Sequence, residues 1–97
     1  MPGELPLNLS MHESSLIPDM MEKVEAVARE HAARKVLVIE VSIGALAFIE
    51  PDHLREHFLL AARGTIAEGA ELRISVSDDP LAADAHAIRL ISMEVDT

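Results

Sequence analysis

A chain with no cysteine and only two aromatic residues, Phe48 and Phe58, has to hold itself together with aliphatic side chains. That one feature removes disulfides, thiolate zinc sites and cysteine nucleophiles together. Leu, Ile, Val, Ala and Met are left to fill the interior. In 97 residues there is room for one modest core and no second one. A hydrophobic fraction of 49% is enough to build it, so a disordered chain is not expected.

Charge narrows the partners. Seventeen acidic residues stand against eight basic ones, a formal net charge of −9. That balance repels phosphate backbones, and no basic patch with interleaved aromatics offsets it, so nucleic acid is not an expected partner. An acidic surface suits solubility, metal cations or a basic protein. No apolar run approaches the length of a membrane span. The first ten residues lack the positive start and continuous apolar stretch of a signal peptide, so the cytoplasm is the expected location.

Residues 1–10 carry two prolines and a glycine, then Leu5, Leu7 and Leu9 in alternation. They read as a flexible extension, or alternatively as an added edge strand, where proline is tolerated. Ser14 and Ser15 are candidate N-caps for a helix over 16–33, with Pro18 in its first turn. Leu16, Ile17, Met20, Met21, Val24, Val27, Ala28 and His31 form its apolar stripe. Residues 35–43 are rich in β-branched side chains and predict a strand, with Leu37, Ile39, Val41 and Ile43 on one face. Val36 and Val38 begin the other face, which a second subunit could cover. Gly44 ends that strand. Glu50-Pro51 opens a second helix whose buried stripe is Leu54, His57, Phe58 and Ala61, with Gly64 as C-cap. Residues 71–77 alternate cleanly, with Leu72, Ile74 and Val76 inward. In the final strand, 87–95, the apolar parity changes at Leu90-Ile91, which calls for a β-bulge. A short strand near 11–13 is a further candidate. The fold class is α+β: two helices packed on one face of a small mixed sheet of three to four strands.

Several stretches, taken in order, resemble the HypA/HybF family of hydrogenase nickel-incorporation proteins. Met11-His12-Glu13 followed by Ser15-Leu16 resembles that family's MHE-x-S-L start. Ile43-Gly44-Ala45-Leu46 and Ile49-Glu50-Pro51 resemble its I-G-x-L-x-x-V-E-P segment, and residues 64–72 resemble its G-T-x-A-E-G-A-x-L segment. The closing strand is similar too. The resemblance divides the chain into an extension, 1–10, and a HypA-like nickel-binding-type domain, 11–97. It implies a nickel metallochaperone that helps mature nickel-iron hydrogenase, or urease, alongside the hydrogenase large subunit and a nickel-handling GTPase of the HypB kind. Nickel is the implied metal, held by His12 with Glu13 and Met11, because Ni(II) accepts a set of nitrogen donors from one short segment.

The sequence departs from the family pattern twice. Ten residues precede Met11, which keeps a terminal amine from joining the site unless the chain starts at Met11 or is processed. The family's zinc module, with two CxxC pairs between the last two strands, has no counterpart between 77 and 87, so zinc is not expected. A second reading therefore stands beside the first: a metal-free interaction or scaffold domain that keeps the fold and has lost delivery. His53-Leu54-Arg55-Glu56-His57 matches H-x-x-E-H formally, but so short a chain lacks the cleft and third ligand of a zinc protease. His31 suits a helix C-terminus, and His86 beside Asp84 is a common pairing. No nucleophile–base pair or phosphate loop stands out, so an enzyme is not expected. The outer sheet face, a sheet edge or the leucine-bearing extension could join two subunits in a homodimer.

Overall fold

The computed structural model describes residues 2–97. Its elements are β1 (Pro2–Met11), a 3-10 turn (Glu13–Ser15), α1 (Leu16–Glu30), β2 (Lys35–Ile43), α2 (Pro51–Ala62), β3 (Glu71–Val76) and β4 (Ile88–Asp96). The four strands form one mixed sheet in the order β1-β4-β2-β3. β4 runs antiparallel to both of its neighbours, while β2 and β3 are parallel and joined through α2. The α+β class with two helices on a mixed sheet is as expected, and the sheet has four strands.

The fourth strand comes from the N-terminal residues. Pro2–Met11 is not a flexible extension but the edge strand of the sheet, in register with β4 from Pro2↔Asp96 to Met11↔Ile88. Its prolines sit where an unpaired side is available, which is why they do not break it. Leu5, Leu7 and Leu9 are half-buried against the core, and Arg89 donates to the Asn8 side-chain oxygen at 2.8 Å. Met11 is the last residue of β1, so no separate strand forms over 11–13.

The core lies between the helices and one sheet face. α1 contributes Leu16, Met20, Val24, Val27 and Ala28 to it, with Ile17 and Met21 half-buried and His31 exposed. The helix ends at Glu30, earlier than its apolar spacing suggests. Ala32 adopts φ 51°, and Ala33 N–H and Ala32 N–H donate to the carbonyls of Ala28 (2.9 Å) and Arg29 (3.1 Å). This is a Schellman stop with alanine in the position that glycine usually takes. At the other end Ser15 is the N-cap residue, yet its side chain makes no capping bond.

The face assignment of β2 needs one correction. Val36, not Leu37, joins Ile39, Val41 and Ile43 in the core, because the pairing with β4 shifts between Val36↔Val95 and Val38↔Glu94. The extra residue, Leu37, inverts the parity of the strand before it. Val36 is fully buried and cannot serve a second subunit. The open face beyond it is mostly polar: Glu4, Glu40, Arg73 and Glu94 gather there around Val38, and Ser92 donates to Glu40 at 2.8 Å. On β4 the expected bulge is present, with Glu40↔Ser92 followed by Val41↔Leu90. β3 buries Leu72 and half-buries Ile74, whereas Val76 at its far end is 56% exposed.

α2 begins with Pro51 at its first turn and buries Leu54, Phe58 and Ala62. These form a straight i, i+4, i+8 row, so His57 falls beside the stripe and is exposed, and Ala61 is only half-buried. The turn after the helix explains why Gly64-Thr65 and Glu68 occur together. Gly64 stops the helix at φ 74°, the Thr65 hydroxyl donates to the Ala62 carbonyl at 2.7 Å, and Glu68 accepts from Gly64 N–H at 3.3 Å. The orphan groups at the end of the helix are thereby satisfied within a few residues.

Candidate functional site

Both helices start at the same end of the molecule, where their first turns flank an apolar groove of about 570 Å³. One wall is Ser14–Pro18, from the 3-10 turn into α1. The other is Phe48, Ile49 and Glu50, continuing onto α2 with His53, Leu54 and His57. Phe48, one of the two aromatic residues, is 86% exposed at this groove, while Phe58 is fully buried. An exposed aromatic is an unusual use of the largest apolar side chain available to this sequence.

The loop that carries Phe48 is tied down behind the groove. Gly44 N–H donates to Ala87 O and Leu46 N–H to Ala85 O, each at 2.8 Å. Gly44 is buried with the Ala85 backbone pressed against its α-carbon, so the loop after β2 and the connection between β3 and β4 lie in direct contact.

His12 sits at the junction of β1 and the 3-10 turn. Its backbone is held on both sides: its N–H donates to Asp19 Oδ2 at 2.9 Å, and its carbonyl accepts from Ser15 N–H at 3.3 Å. Its side chain is exposed, as is that of Glu13. Met11 is 7% exposed and turned into the core, so its thioether faces away from solvent. Asp19 also pairs with Lys23 one turn along α1. Lys23 and the His12 amide hold the Asp19 carboxyl below the ordinary aspartate value.

Because the Asp19 pKa is lower in the folded chain than in the unfolded one, its contribution to stability is present above the unfolded value, 3.8, and lost as pH falls through the folded value. Asp19→Asn is therefore expected to lower the thermal midpoint at neutral pH. The difference from the parent should vanish in acid below that range. A difference unchanged from neutral to strongly acid pH would show that the charge is not what matters.

The remaining histidines separate clearly. His53 and His57 share the groove. His31 Nδ1–H donates to the Val27 carbonyl at 2.9 Å, completing the helix end. His86 is exposed, and Asp84, two residues before it, approaches Arg89 at 3.6 Å. Among the described residues no three His, Asp or Glu side chains converge as a metal cluster. The motif alone identifies His12. The groove escapes sequence reading, because its two walls come from separate stretches that no local pattern connects. Asp19 escapes it too, because it looks like an ordinary acidic first-turn residue.

The two-layer fold, with a MHE segment entering the first helix, defines a class, and comparison with known proteins specifies it. The profile of the family described as hydrogenase/urease nickel incorporation, metallochaperone, hypA, matches residues 11–83. The hydrogenase maturation factor HypA of Desulfitobacterium hafniense is 44% identical over 66 residues, covering 68% of this chain and 58% of that protein. HypA of Chlorobium limicola is 48% identical over 64 residues, covering 66% of this chain and 55% of that protein. The chain belongs to the HypA family. It spans a little over half the length of these curated relatives. The solution structure of the Ni metallochaperone HypA from Helicobacter pylori superposes with a TM-score of 0.73 over 90% of this chain and 99% of that one, at 20% identity. That likeness establishes the fold. Among the described residues no helix is long and apolar enough to cross a membrane.

Proposed function

We propose that this chain is a nickel-handling accessory in the maturation of nickel-iron hydrogenase, with urease as an alternative client, and that His12 is its principal nickel ligand. The observation that carries this reading is the pinned backbone and exposed side chain of His12 within the segment where the family match begins. A fixed backbone lowers the entropy lost when the imidazole takes a metal. Glu13 is exposed beside it and adds a carboxylate, while Met11 contributes position, being anchored opposite Ile88. The acidic surface draws the cation. Partners are the hydrogenase large subunit and a GTPase of the HypB kind, with the exposed Phe48 at the contacting end. No catalytic step is assigned to this chain, and its action is placed in the cytoplasm.

With β1 in place its last residue, Met11, precedes His12, so the nitrogen beside His12 is a peptide amide. Ten strand residues at about 3.3 Å each put the start of β1 roughly 30 Å from His12. Nickel must then be held by side chains and neighbouring backbone. The family match ends at residue 83, inside the connection between β3 and β4. That supports a chain in which the zinc module is replaced by the short cysteine-free link 77–87.

Calorimetric nickel titration of the full chain beside His12→Ala tests the proposal. The variant is expected to keep its far-ultraviolet spectrum and to lose the tightest nickel equivalent, by about 100-fold in affinity, as when one arm of a linked ligand set is removed. Unchanged titration of the variant would defeat the proposal. Capture of maturation partners by a chain that takes up no nickel would favour the metal-free interaction domain instead.

A further inference from the structure

α2 presents two imidazoles that the fold leaves unused. His53 and His57 stand one helical turn apart, both exposed. The buried row Leu54, Phe58 and Ala62 fixes the rotation of the helix, and that rotation sets both histidines along the groove beside Glu50, Ser14 and Ser15. Residues four apart on a helix have Cβ atoms about 5–6 Å from each other on one face. One ion with metal–nitrogen bonds of about 2.0–2.1 Å can take a nitrogen from each. Among the described residues neither ring is engaged in a hydrogen bond or ion pair. The exposed His86, by contrast, has no histidine a helical turn away, and the His31 ring is committed to Val27.

We propose that His53 and His57 form a second metal site, a two-imidazole chelate for Ni(II), separate from His12. No further His, Asp or Glu among the described residues converges on the pair, so water fills the remaining positions and the ion exchanges readily. Imidazole suits nickel and copper ahead of magnesium or calcium, and copper should bind the more tightly of the two. The net charge of −9 raises the local cation concentration. The site stands on the geometry of α2 alone. Its use as a transfer point along the groove rests on the function proposed above.

The test uses the full chain and nickel chloride, with calorimetry and the imidazole proton resonances followed together. The parent, His12→Ala, His53→Ala, His57→Ala and the His53→Ala/His57→Ala double variant are compared. The expected result is that His12→Ala retains one nickel equivalent and that in this variant nickel broadens the resonances of His53 and His57 before those of His31 and His86. Each single substitution on α2 should weaken that equivalent by about 100-fold, because the second tethered ligand is lost. Both residues are exposed, so the circular dichroism spectra should match the parent. Persistence of the His12-independent equivalent in the double variant overturns the proposal. So does broadening confined to His31 or His86, or the absence of any second equivalent. A normal His12 titration with no α2 site would refute this inference and leave the proposed function standing. An α2 site in a chain indifferent to His12→Ala would do the reverse.

Discussion

Gly44→Ala is expected to lower the thermal midpoint by about 12–24 °C, the equivalent of about 3 kcal/mol for a domain of this size. An added methyl group would fall inside the Ala85 carbonyl and 2.7 Å from the Asp84 carbonyl oxygen. Both obstacles are backbone, which cannot swing aside as a flexible side chain would. The segment that would have to move is anchored: Gly44 N–H donates to Ala87 O and Leu46 N–H to Ala85 O, each at 2.8 Å. Relief would break these bonds and lift Ala85, which is 3% exposed, out of the interior. The same shift would disturb the loop bearing Phe48, so groove and stability should fail together. Gly3→Ala is the control, since a methyl group there meets nothing within 4 Å. Midpoints from circular dichroism decide the matter. A fall of only a few degrees for Gly44→Ala, or an equal fall for Gly3→Ala, would mean that the close approach is not what this glycine serves.

How much of the fold and the site is legible in the sequence depends on whether the deciding physics is local. The Pro51 and Gly64 boundaries of α2 can be read directly, because each acts through its own backbone angle. The bulge at Leu90-Ile91 is visible as a change of parity. The stop at Ala32 is hidden, since nothing in an alanine announces a left-handed residue and only the packing of the neighbouring segments imposes it. Leu37 is misplaced by pattern because a bulge is set by the partner strand, and β2 alone shows an unbroken β-branched run. His57 is drawn into the core because the apolar positions of this twelve-residue helix cluster toward its C-terminal end and define its face only loosely, and the actual row passes through Ala62. The metal candidates His12, Glu13 and Met11 come from a resemblance rather than from spacing. The structure adds what holds His12, namely Asp19, seven residues away.

Starting the chain at Met11 is expected to change stability and metal binding in opposite directions. Removing 1–10 takes away three half-buried leucines and the Asn8–Arg89 bond. After the regained chain entropy is subtracted, the net loss is roughly 2–4 kcal/mol. The thermal midpoint should then fall by about 10 °C or more. β4 would become an open edge from Ile88 to Asp96 and a template for pairing with another copy. Concentration-dependent association in sedimentation experiments is the expected sign. The same truncation places a free amine next to His12, supplying a nitrogen donor where β1 offers only a peptide amide. Nickel affinity at the His12 site should rise by about tenfold or more through the added tethered ligand. Equal midpoints and a monomeric short chain would show that β1 contributes little to the fold. Equal nickel affinities would place the donors entirely in side chains and internal backbone. If both expected changes appear, β1 and an amine-ligated metal are alternative uses of the same segment. A chain of this sequence that keeps its fourth strand then offers nickel, at that site, the imidazole of His12 with neighbouring side chains and internal backbone.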